Sequence, residues 1–290
     1  MPPPNRIVLV GVGLMGGSLG LALRKRGGAR VVGLARREET LREARRRGVL
    51  HEGFTDPARA LDGASVVVFC APVDKIVPLV RASRRFLSSG KALLMDVGSV
   101  KGPLVRALDP LFLGENGPVF VGAHPMAGSE KTGVQNARAD LYKNAVCAIT
   151  PTAQTPGPRV IQAVKFWKSV GARPVLVDAE THDRAVALVS HLPHLIADAL
   201  ILSAGRENGG AGGVALLKEL AAGSFRDATR VSGADPALWH EIFRMNDRAV
   251  RAALRLFSKE INRLARGRWP LADLRRAQTL NVAFRSQEKA

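Results

Sequence analysis

The chain contains little cysteine, few aromatic residues and comparatively few acidic side chains. Only two of its 290 residues are cysteines, so neither a disulfide framework nor a cysteine-based metal site is expected. Cys70 and Cys147 each lie in an apolar run, and two buried free thiols fit a reducing cytoplasm. No signal peptide precedes the first apolar run, and no apolar run reaches the roughly 18–20 residues that span a bilayer. We therefore expect a cytoplasmic protein without a metal centre and without membrane association.

Basic residues far outnumber acidic ones, with 43 Lys and Arg against 25 Asp and Glu, for a net charge of +18. Such a charge is typical of proteins that bind nucleic acids. However, only 5% of the residues are aromatic, which is too few for a surface on which bases stack. The arginines also alternate with apolar residues at helical spacing, as in "TLREARRRG", which indicates solvated helix faces. We therefore predict no nucleic-acid partner, and a surface that attracts small anionic molecules.

Hydrophobic patterning divides the chain into two parts. Up to Asp178, strand-like runs such as "RIVLVGVG", "ASVVVFCAP" and "KALLMDVGS" alternate with amphipathic helical stretches, which predicts a parallel sheet covered by helices on both faces. After Asp178 the period is helical. We predict an α/β domain over residues 1–178 and an all-α domain over residues 179–290. The first helix of the second domain, with a kink or local break expected at Pro193, is apolar enough to pack against a second copy in a homodimer.

A glycine-rich turn follows the first predicted strand. In "VGVGLMGGSLG", Gly11, Gly13 and Gly16 have the G-x-G-x-x-G order, with Leu14 and Met15 between the second and third glycines. The first glycine permits a tight turn, the second lets a pyrophosphate approach backbone N–H groups, and the third allows close packing of helix on strand. The anion then lies at a helix N-terminus. Because the turn joins a strand to a helix, it predicts a dinucleotide site and a Rossmann-type domain; an ordinary glycine turn is the alternative.

The end of the second strand bears on which dinucleotide is bound. An NAD site usually places Asp or Glu there, where the carboxylate accepts hydrogen bonds from the ribose hydroxyls. In "VVGLARREET", Ala35 takes that place and is followed by Arg36, Arg37 and Thr40. Guanidinium groups are good partners for a 2′-phosphate, and the threonine could add a hydroxyl. The sequence therefore favours NADP over NAD, unless the arginines are only surface charge and either cofactor is accepted.

The remaining polar motifs fall where a cofactor-dependent site is expected. "DVGSVKG" and "GAHPMAGSE" each follow a strand and place Ser99 and His124 at carboxyl ends of the sheet, where ligands of open α/β folds bind. The helical half adds "VSHLPH" and "SFRDATRVSG". Their polar residues include Ser190, His191, His194, Arg226, Asp227, Thr229 and Arg230.

Five motifs together resemble the prephenate and arogenate dehydrogenase family of tyrosine biosynthesis. In chain order they are "GVGLMGGSLG", "DVGSVKG", "GAHPMAGSEKTG", "VSHLPH" and "FRDATRVSGADPALW", and the resemblance runs from Ile7 to about Arg266. It implies a Rossmann domain, a helical dimerisation domain and a site between them. It also implies an oxidative decarboxylation: hydride leaves the ring carbon that bears the hydroxyl, the ring carboxylate departs as carbon dioxide, and the ring aromatises.

The resemblance also implies roles for single residues. The family's catalytic histidine falls on His124, and a neutral histidine suits the removal of a hydroxyl proton near pH 7. Ser99 matches a serine that bonds the same hydroxyl or orients that histidine. A buried arginine is expected to hold a substrate carboxylate, and the family's arginine falls on Arg230. The other expected substrate-site residues are Glu130, Asp227, Ser190, His191 and His194, with His194 at a position that contacts the substrate's side chain.

Several of these residues also have a structural interpretation. Ser99 could cap the helix that follows it, and Arg230 could be a surface ion-pair partner. His191 or His194 could form an interhelical hydrogen bond instead of contacting substrate. The three remaining histidines, His51, His182 and His240, are expected to be surface or cap residues and are assigned no role.

The sequence leaves two other classes of protein and a second substrate as alternatives. A β-hydroxyacid dehydrogenase would share the glycine turn but requires a catalytic lysine on the first long helix of the second domain, and "THDRAVALVSHLPH" has none. A basic nucleic-acid-binding protein would give no reason for His124, Ser99 and Arg230 to lie in site-like loops. Within the dehydrogenases, a neutral or cationic His194 favours prephenate, whereas an acidic residue would favour arogenate; a dual-specificity cyclohexadienyl dehydrogenase stays open.

Overall fold

The fold is known from a computed structural model that describes residues 5–87, 92–112, 117–129, 131–207, 211–267 and 270–285. In the N-terminal half of these ranges, the strands are β1 (Asn5–Val10), β2 (Ala29–Leu34), β3 (Glu52–Phe54), β4 (Val66–Phe69), β5 (Leu93–Asp96), β6 (Val119–Pro125), β7 (Val146–Thr150) and β8 (Arg173–Leu176). The helices between them are α1 (Leu14–Arg26), α2 (Glu38–Arg46), α3 (Pro57–Leu61), α4 (Val73–Ser83), α5 (Gly102–Leu108) and α6 (Gly157–Ser169).

The strands form one sheet in the order β3-β2-β1-β4-β5-β6-β7-β8. The pairs from β3 to β6 are parallel, as expected, and the order reverses direction between β1 and β4. The expectation of a wholly parallel sheet is corrected at β7, which runs antiparallel to β6 and parallel to β8. A parallel neighbour needs a crossover, usually a helix, whereas the described part of the link from β6 to β7 contains one short helical turn, Val134–Asn136.

Helices cover both faces of the sheet because its strands are apolar on both sides. Along β1, Ile7 and Leu9 face a layer that contains α1 and α6, whereas Val8 and Val10 face α3, α4 and α5. The second layer also includes Ile242, which belongs to the helical half of the chain. This contact places part of the helical half beside α4, next to the carboxyl ends of the strands.

From Ala179 onward the described residues form helices joined by short links, without a strand. The elements are α7 (Ala179–Val186), a π-helical turn (Ala187–His191), α8 (Leu192–Glu207), α9 (Ala211–Leu220), α10 (Gly223–Thr229), α11 (Pro236–Met245), α12 (Asp247–Arg266) and α13 (Leu271–Arg285). The break expected near Pro193 takes the form of the π-helical turn, which ends two residues before the proline. Because proline has no N–H to donate, the regular helical ladder is interrupted there.

The stretch from Ala179 to Arg206 is unusually apolar for a helix of this length. It spans 28 residues with a mean hydropathy of 1.7 in its most apolar window, so by length and composition alone it could cross a bilayer. This finding corrects the expectation that no run of that length exists. In the structure the stretch packs against α10 and α12, and α8 exposes Leu200, Ile201 and Leu202. An exposed apolar face of this kind is what a helix at a subunit interface presents.

Candidate active site

A cleft of about 670 Å³ lies at the carboxyl ends of the strands, between the sheet domain and the helical half. Loops after β1, β4, β5 and β6 form one wall, and the π-helical turn, α8 and the segment from Arg230 to Ile242 form the other. The sequence-predicted residues on its wall are Gly13, Leu14, Met15, Ser99, His124, Ser190, His194 and Arg230. The cleft therefore joins the glycine turn to the polar loops, as expected for ligands at the switch point of an open α/β sheet.

The glycine turn has the geometry of a dinucleotide cradle. Gly11 has a φ of +95°, and a Cβ there would lie 2.5 Å from the Cys70 carbonyl oxygen. A Cβ on Gly16 would lie 2.0 Å from the Gly11 oxygen, so α1 packs directly on the turn. At Gly13, which lines the cleft, a Cβ would meet no atom within 4 Å. Because Gly13 offers no side-chain cap, the first N–H groups of α1 remain available to a pyrophosphate. The residues present fit a dinucleotide.

The residues expected to recognise a 2′-phosphate lie beyond the cleft wall. The Gly11 N–H donates to the Leu34 carbonyl oxygen at 2.9 Å, which brings the end of β2 beside the glycine turn. Arg36 and Arg37 follow directly and are exposed, with no ion pair to any described residue, and Thr40 is half-buried. Two exposed arginines without an ion pair to any described residue therefore follow the strand end that contacts the glycine turn.

His124 lies at the end of β6, buried but on the cleft wall. Its Nδ1 is 2.9 Å from Nε2 of His182, so Nε2 is the ring nitrogen left for a ligand in the cleft. Burial lowers the pKa of His124 well below its ordinary value, and the nearby His182, Lys101 and His191 lower it further. The imidazole is therefore neutral near pH 7, the form that can accept a proton.

A buried ion pair, which the sequence did not reveal, fixes the two polar loops. Lys101 Nζ contacts the Asp96 carboxylate and donates to the Ala123 carbonyl oxygen at 2.9 Å. Asp96 also accepts from the N–H groups of Gly98 at 2.8 Å and Ala123 at 3.0 Å. Burial lowers the pKa of Lys101, and the Asp96 carboxylate opposes that shift. The pair thus ties the loop that carries Ser99 to the strand that carries His124.

His182, to which the sequence assigned no role, is a buried partner of His124. Its Nδ1 is 2.8 Å from Oδ1 of Asp183, and the two rings meet edge to face with centroids 5.1 Å apart. A sequence signal was available: His182 lies four residues before the buried Val186, so it shares the inward face of α7. His182 was expected at the surface or at a helix cap, and its burial corrects that expectation; the apolar period of α7 could have indicated the burial, although not the partner.

Some predicted residues do not reach the cleft wall. His191 is buried, and its Nδ1 is 3.2 Å from the Asn246 side-chain nitrogen, so it forms the alternative interhelical hydrogen bond. Asp227 is exposed on α10, away from the wall, and Glu130 lies outside the described residues. Lys101, not Ser99, precedes the first residue of α5, so Ser99 is on the cleft wall without capping that helix.

The helical wall combines aromatic and cationic side chains. His194 stacks on Trp239 with ring centroids 3.6 Å apart, and its Nε2 is 3.7 Å from an Asp198 oxygen. Burial lowers the pKa of His194, so this ring is also neutral near pH 7. Arg230 was expected to be buried, but it is exposed on the cleft rim. The difference arises because Arg230 lies where α10 ends and a short turn begins, at the mouth of the cleft rather than in its floor.

The sheet order, the glycine cradle and the neutral His124 beside it define a two-domain, nicotinamide-dependent oxidoreductase with a Rossmann-type sheet domain. Comparisons with known proteins agree. Residues 19–176 match the family model of the prephenate dehydrogenase nucleotide-binding domain, and residues 178–267 match that of the prephenate dehydrogenase dimerization domain. The chain belongs to the prephenate dehydrogenase family, and its helical half is the dimerisation domain of that family.

Individual relatives cover nearly the whole chain. A cyclohexadienyl dehydrogenase of Zymomonas mobilis is 32% identical over 264 residues, covering 90% of this chain and 87% of the relative. The crystal structure of Synechocystis arogenate dehydrogenase superposes with a TM-score of 0.81 at 30% identity, covering 98% of this chain and 99% of that one. Prephenate dehydrogenase from A. aeolicus, solved with hydroxyphenyl propionate and NAD+, gives a TM-score of 0.82 at 32% identity, covering 98% and 96%.

Proposed function

We propose that this chain oxidises and decarboxylates prephenate to 4-hydroxyphenylpyruvate in the cytoplasm, as a step of tyrosine biosynthesis, with NADP as hydride acceptor. The observation that carries the proposal is the placement of neutral His124 and cationic Arg230 on one cleft beside the glycine cradle. Free thiols at Cys70 and Cys147 are consistent with a reducing compartment.

The residues divide the chemistry between them. A bound nicotinamide supplies the hydride acceptor. His124 Nε2 accepts the proton of the substrate hydroxyl as hydride leaves the same carbon. As the ring carboxylate departs as carbon dioxide, its bonding electrons move through the ring to that oxygen, which takes the proton back. Ser99, on the same wall, orients the hydroxyl, and Arg230 at the rim holds a carboxylate.

The charges on the cleft wall favour prephenate. Lys131 and Arg230 contribute cations to the described wall, and Asp235 contributes a carboxylate that already accepts the Ala237 N–H at 2.9 Å. This excess of positive charge suits a dianion, and a neutral His194 suits a keto group better than an ammonium. Asp235 is the observation that keeps arogenate as the second candidate, because a carboxylate could bind its ammonium group.

The decisive experiment is a two-by-two assay of prephenate or arogenate with NADP or NAD, following formation of the reduced cofactor. We expect the highest kcat/KM for prephenate with NADP. Faster turnover of arogenate would change the substrate assignment, and absence of turnover in all four combinations would refute the proposed function.

The preference for NADP depends on Arg36 and Arg37. The solved A. aeolicus complex contains NAD+, so the proposed preference of this chain for NADP is argued from its own two arginines. The double variant Arg36→Ala/Arg37→Ala should raise the KM for NADP about 10- to 100-fold, because hydrogen bonds to charged groups contribute about 1.5–3 kcal/mol, and leave the KM for NAD nearly unchanged. Arg45→Ala is the matched control, because Arg45 is an exposed arginine on α2, the helix that follows Arg37. Equal effects on both cofactors would contradict the assignment.

A further inference from the structure

A buried chain of three side chains runs from the cleft into the helical half. His124 on β6 contacts His182 on α7 through Nδ1 and Nε2 at 2.9 Å, and His182 contacts the neighbouring Asp183 through Nδ1 and Oδ1 at 2.8 Å. All three residues are less than one-tenth exposed. We propose that His182 and Asp183 are positioning residues that fix the tautomer of His124 and stabilise the positive charge that arises when it accepts a proton, an inference that rests on the proposed role of His124 as base.

The carboxylate at the end of this chain determines every proton position in it. Asp183 is an acceptor, so Nδ1 of His182 carries a proton and donates it. In neutral His182 the other nitrogen, Nε2, is then an acceptor, which requires Nδ1 of His124 to be the donor. The remaining nitrogen of His124, Nε2, therefore has a free lone pair. That is the tautomer a base on the cleft wall needs.

Asp183 is held in place by both domains. Its Oδ1 accepts the Lys101 N–H at 2.7 Å and its Oδ2 accepts the Gly102 N–H at 2.8 Å. Its own carbonyl oxygen accepts a hydrogen bond from the Asn246 side chain at 2.9 Å. The carboxylate thus bridges the loop before α5 and the helical half, so the base acquires its partner only when the two halves of the chain are packed together.

The hydrogen-bonded series from His124 through His182 to Asp183 also explains how a buried histidine can hold a proton during the reaction. The burial of His124 and the charge of the nearby Lys101 both disfavour a protonated His124. The Asp96 carboxylate does not offset them, because it is already paired with Lys101. When Nε2 of His124 accepts the substrate proton, its Nδ1–H bond breaks as an Nε2–H bond forms on His182. The positive charge then lies on His182 beside the Asp183 carboxylate, with no electron transferred and one proton moved at each ring. The reverse shift restores the starting tautomers when the product oxygen takes its proton.

His182→Gln tests this proposal because a glutamine oxygen can accept the Nδ1–H of His124 but cannot carry a proton onward. We expect kcat to fall about 10²-fold, the low end of the range for a lost proton-transfer group, with KM values nearly unchanged. The acid limb of the pH profile of kcat/KM should move to lower pH, because His124 loses the stabilisation of its charged form. Groups that also face His124 and titrate, namely Lys101, Cys147 and His191, are unaltered in this variant. The matched control is His240→Gln, an exposed histidine on α11.

If the unmodified protein turns over normally and the pH profile of kcat/KM is the same in His182→Gln, this inference is overturned and the proposed function stays intact. Nitrogen-15 NMR of the histidine rings in the unmodified protein gives a readout that needs neither activity nor a variant that folds. We expect His124 and His182 both to carry their proton on Nδ1. The opposite tautomer of either ring would overturn the inference. Absence of turnover in the unmodified protein would instead refute the proposed function, while the ring tautomers remain measurable.

Discussion

At the scale of single residues, the environment of each histidine matters more than its presence. Four of the chain's six histidines, His124, His182, His191 and His194, lie buried around the inner end of the cleft. They differ in their surroundings. His124 lines the cleft and His182 contacts the Asp183 carboxylate, whereas His191 contacts the Asn246 amide and His194 stacks on Trp239. His124 and His194 both line the cleft, but His194 stacks on Trp239 in the helical wall, whereas His124 lies at the end of a sheet strand in the wall that carries the glycine turn and Ser99, which is why we place the base there.

Replacement of His124 by Asn should remove the base and leave binding nearly intact. We expect kcat to fall by roughly 10²–10⁴-fold, the usual contribution of a general base, with a small change in the KM for substrate. Steady-state kinetics measure both quantities, and His240→Asn provides a surface histidine control. Near-normal kcat in His124→Asn would exclude His124 from the mechanism.

Arg230→Gln should act mainly on binding. A carboxylate that loses a charge-assisted hydrogen bond loses about 1.5–3 kcal/mol, so the KM for substrate should rise about 10- to 100-fold. The matched control is Arg226→Gln, an exposed arginine one helical turn earlier that does not line the cleft. If Arg230→Gln lowered kcat alone, the assignment of a carboxylate to this residue would be wrong.

At the scale of elements, the first strand, glycine turn and helix could be predicted because their determinants are local. The positive φ at Gly11 and the contact of Gly16 with the Gly11 oxygen depend on residues within one turn of each other. In contrast, β3 is three residues long and has no period to detect, and the direction of β7 depends on which strand it pairs with. Strand pairing between distant segments is a tertiary property.

The glycine turn allows folding and cofactor binding to be separated by two substitutions. Gly16→Ala should lower the free energy of unfolding by about 1–3 kcal/mol, because its Cβ would overlap backbone atoms of the turn. Gly13→Ala meets no protein atom and should leave stability unchanged, but raise the cofactor Kd about tenfold or more, or about 1.4 kcal/mol. Thermal unfolding and cofactor titration measure the two effects. A Gly13→Ala protein with unchanged cofactor affinity would show that no pyrophosphate approaches this residue.

At the scale of the whole molecule, the buried histidines make stability depend on pH. Burial lowers the pKa of His191 to about 4, and protonation would also oppose the Asn246 N–H group that faces its Nδ1. Below pH 6.5 the unfolded chain binds protons that folded His191 does not, so stability falls as the pH falls and the loss is complete near pH 4.

We expect His191 alone to lower the free energy of unfolding by about 3 kcal/mol between pH 6.5 and pH 4. Denaturant unfolding at fixed protein concentration across this range measures the change, and His191→Asn should flatten the profile. His240→Asn should leave the profile unchanged. A wild-type profile that is flat between these pH values would contradict the burial of neutral histidines.

The sequence by itself determined the two-domain order and the glycine turn, and it indicated the loop in which we propose the base, because each depends on a short run of residues with a fixed period or spacing. Only the tertiary structure decided that His182 lies against His124, 58 positions away along the chain, that Lys101 pairs with Asp96 inside the protein, and that His191 bonds to Asn246 instead of lining the cleft. The physical reason is that hydrogen bonds and ion pairs between distant segments depend on how the elements pack, and packing brings together residues whose spacing along the chain carries no signal.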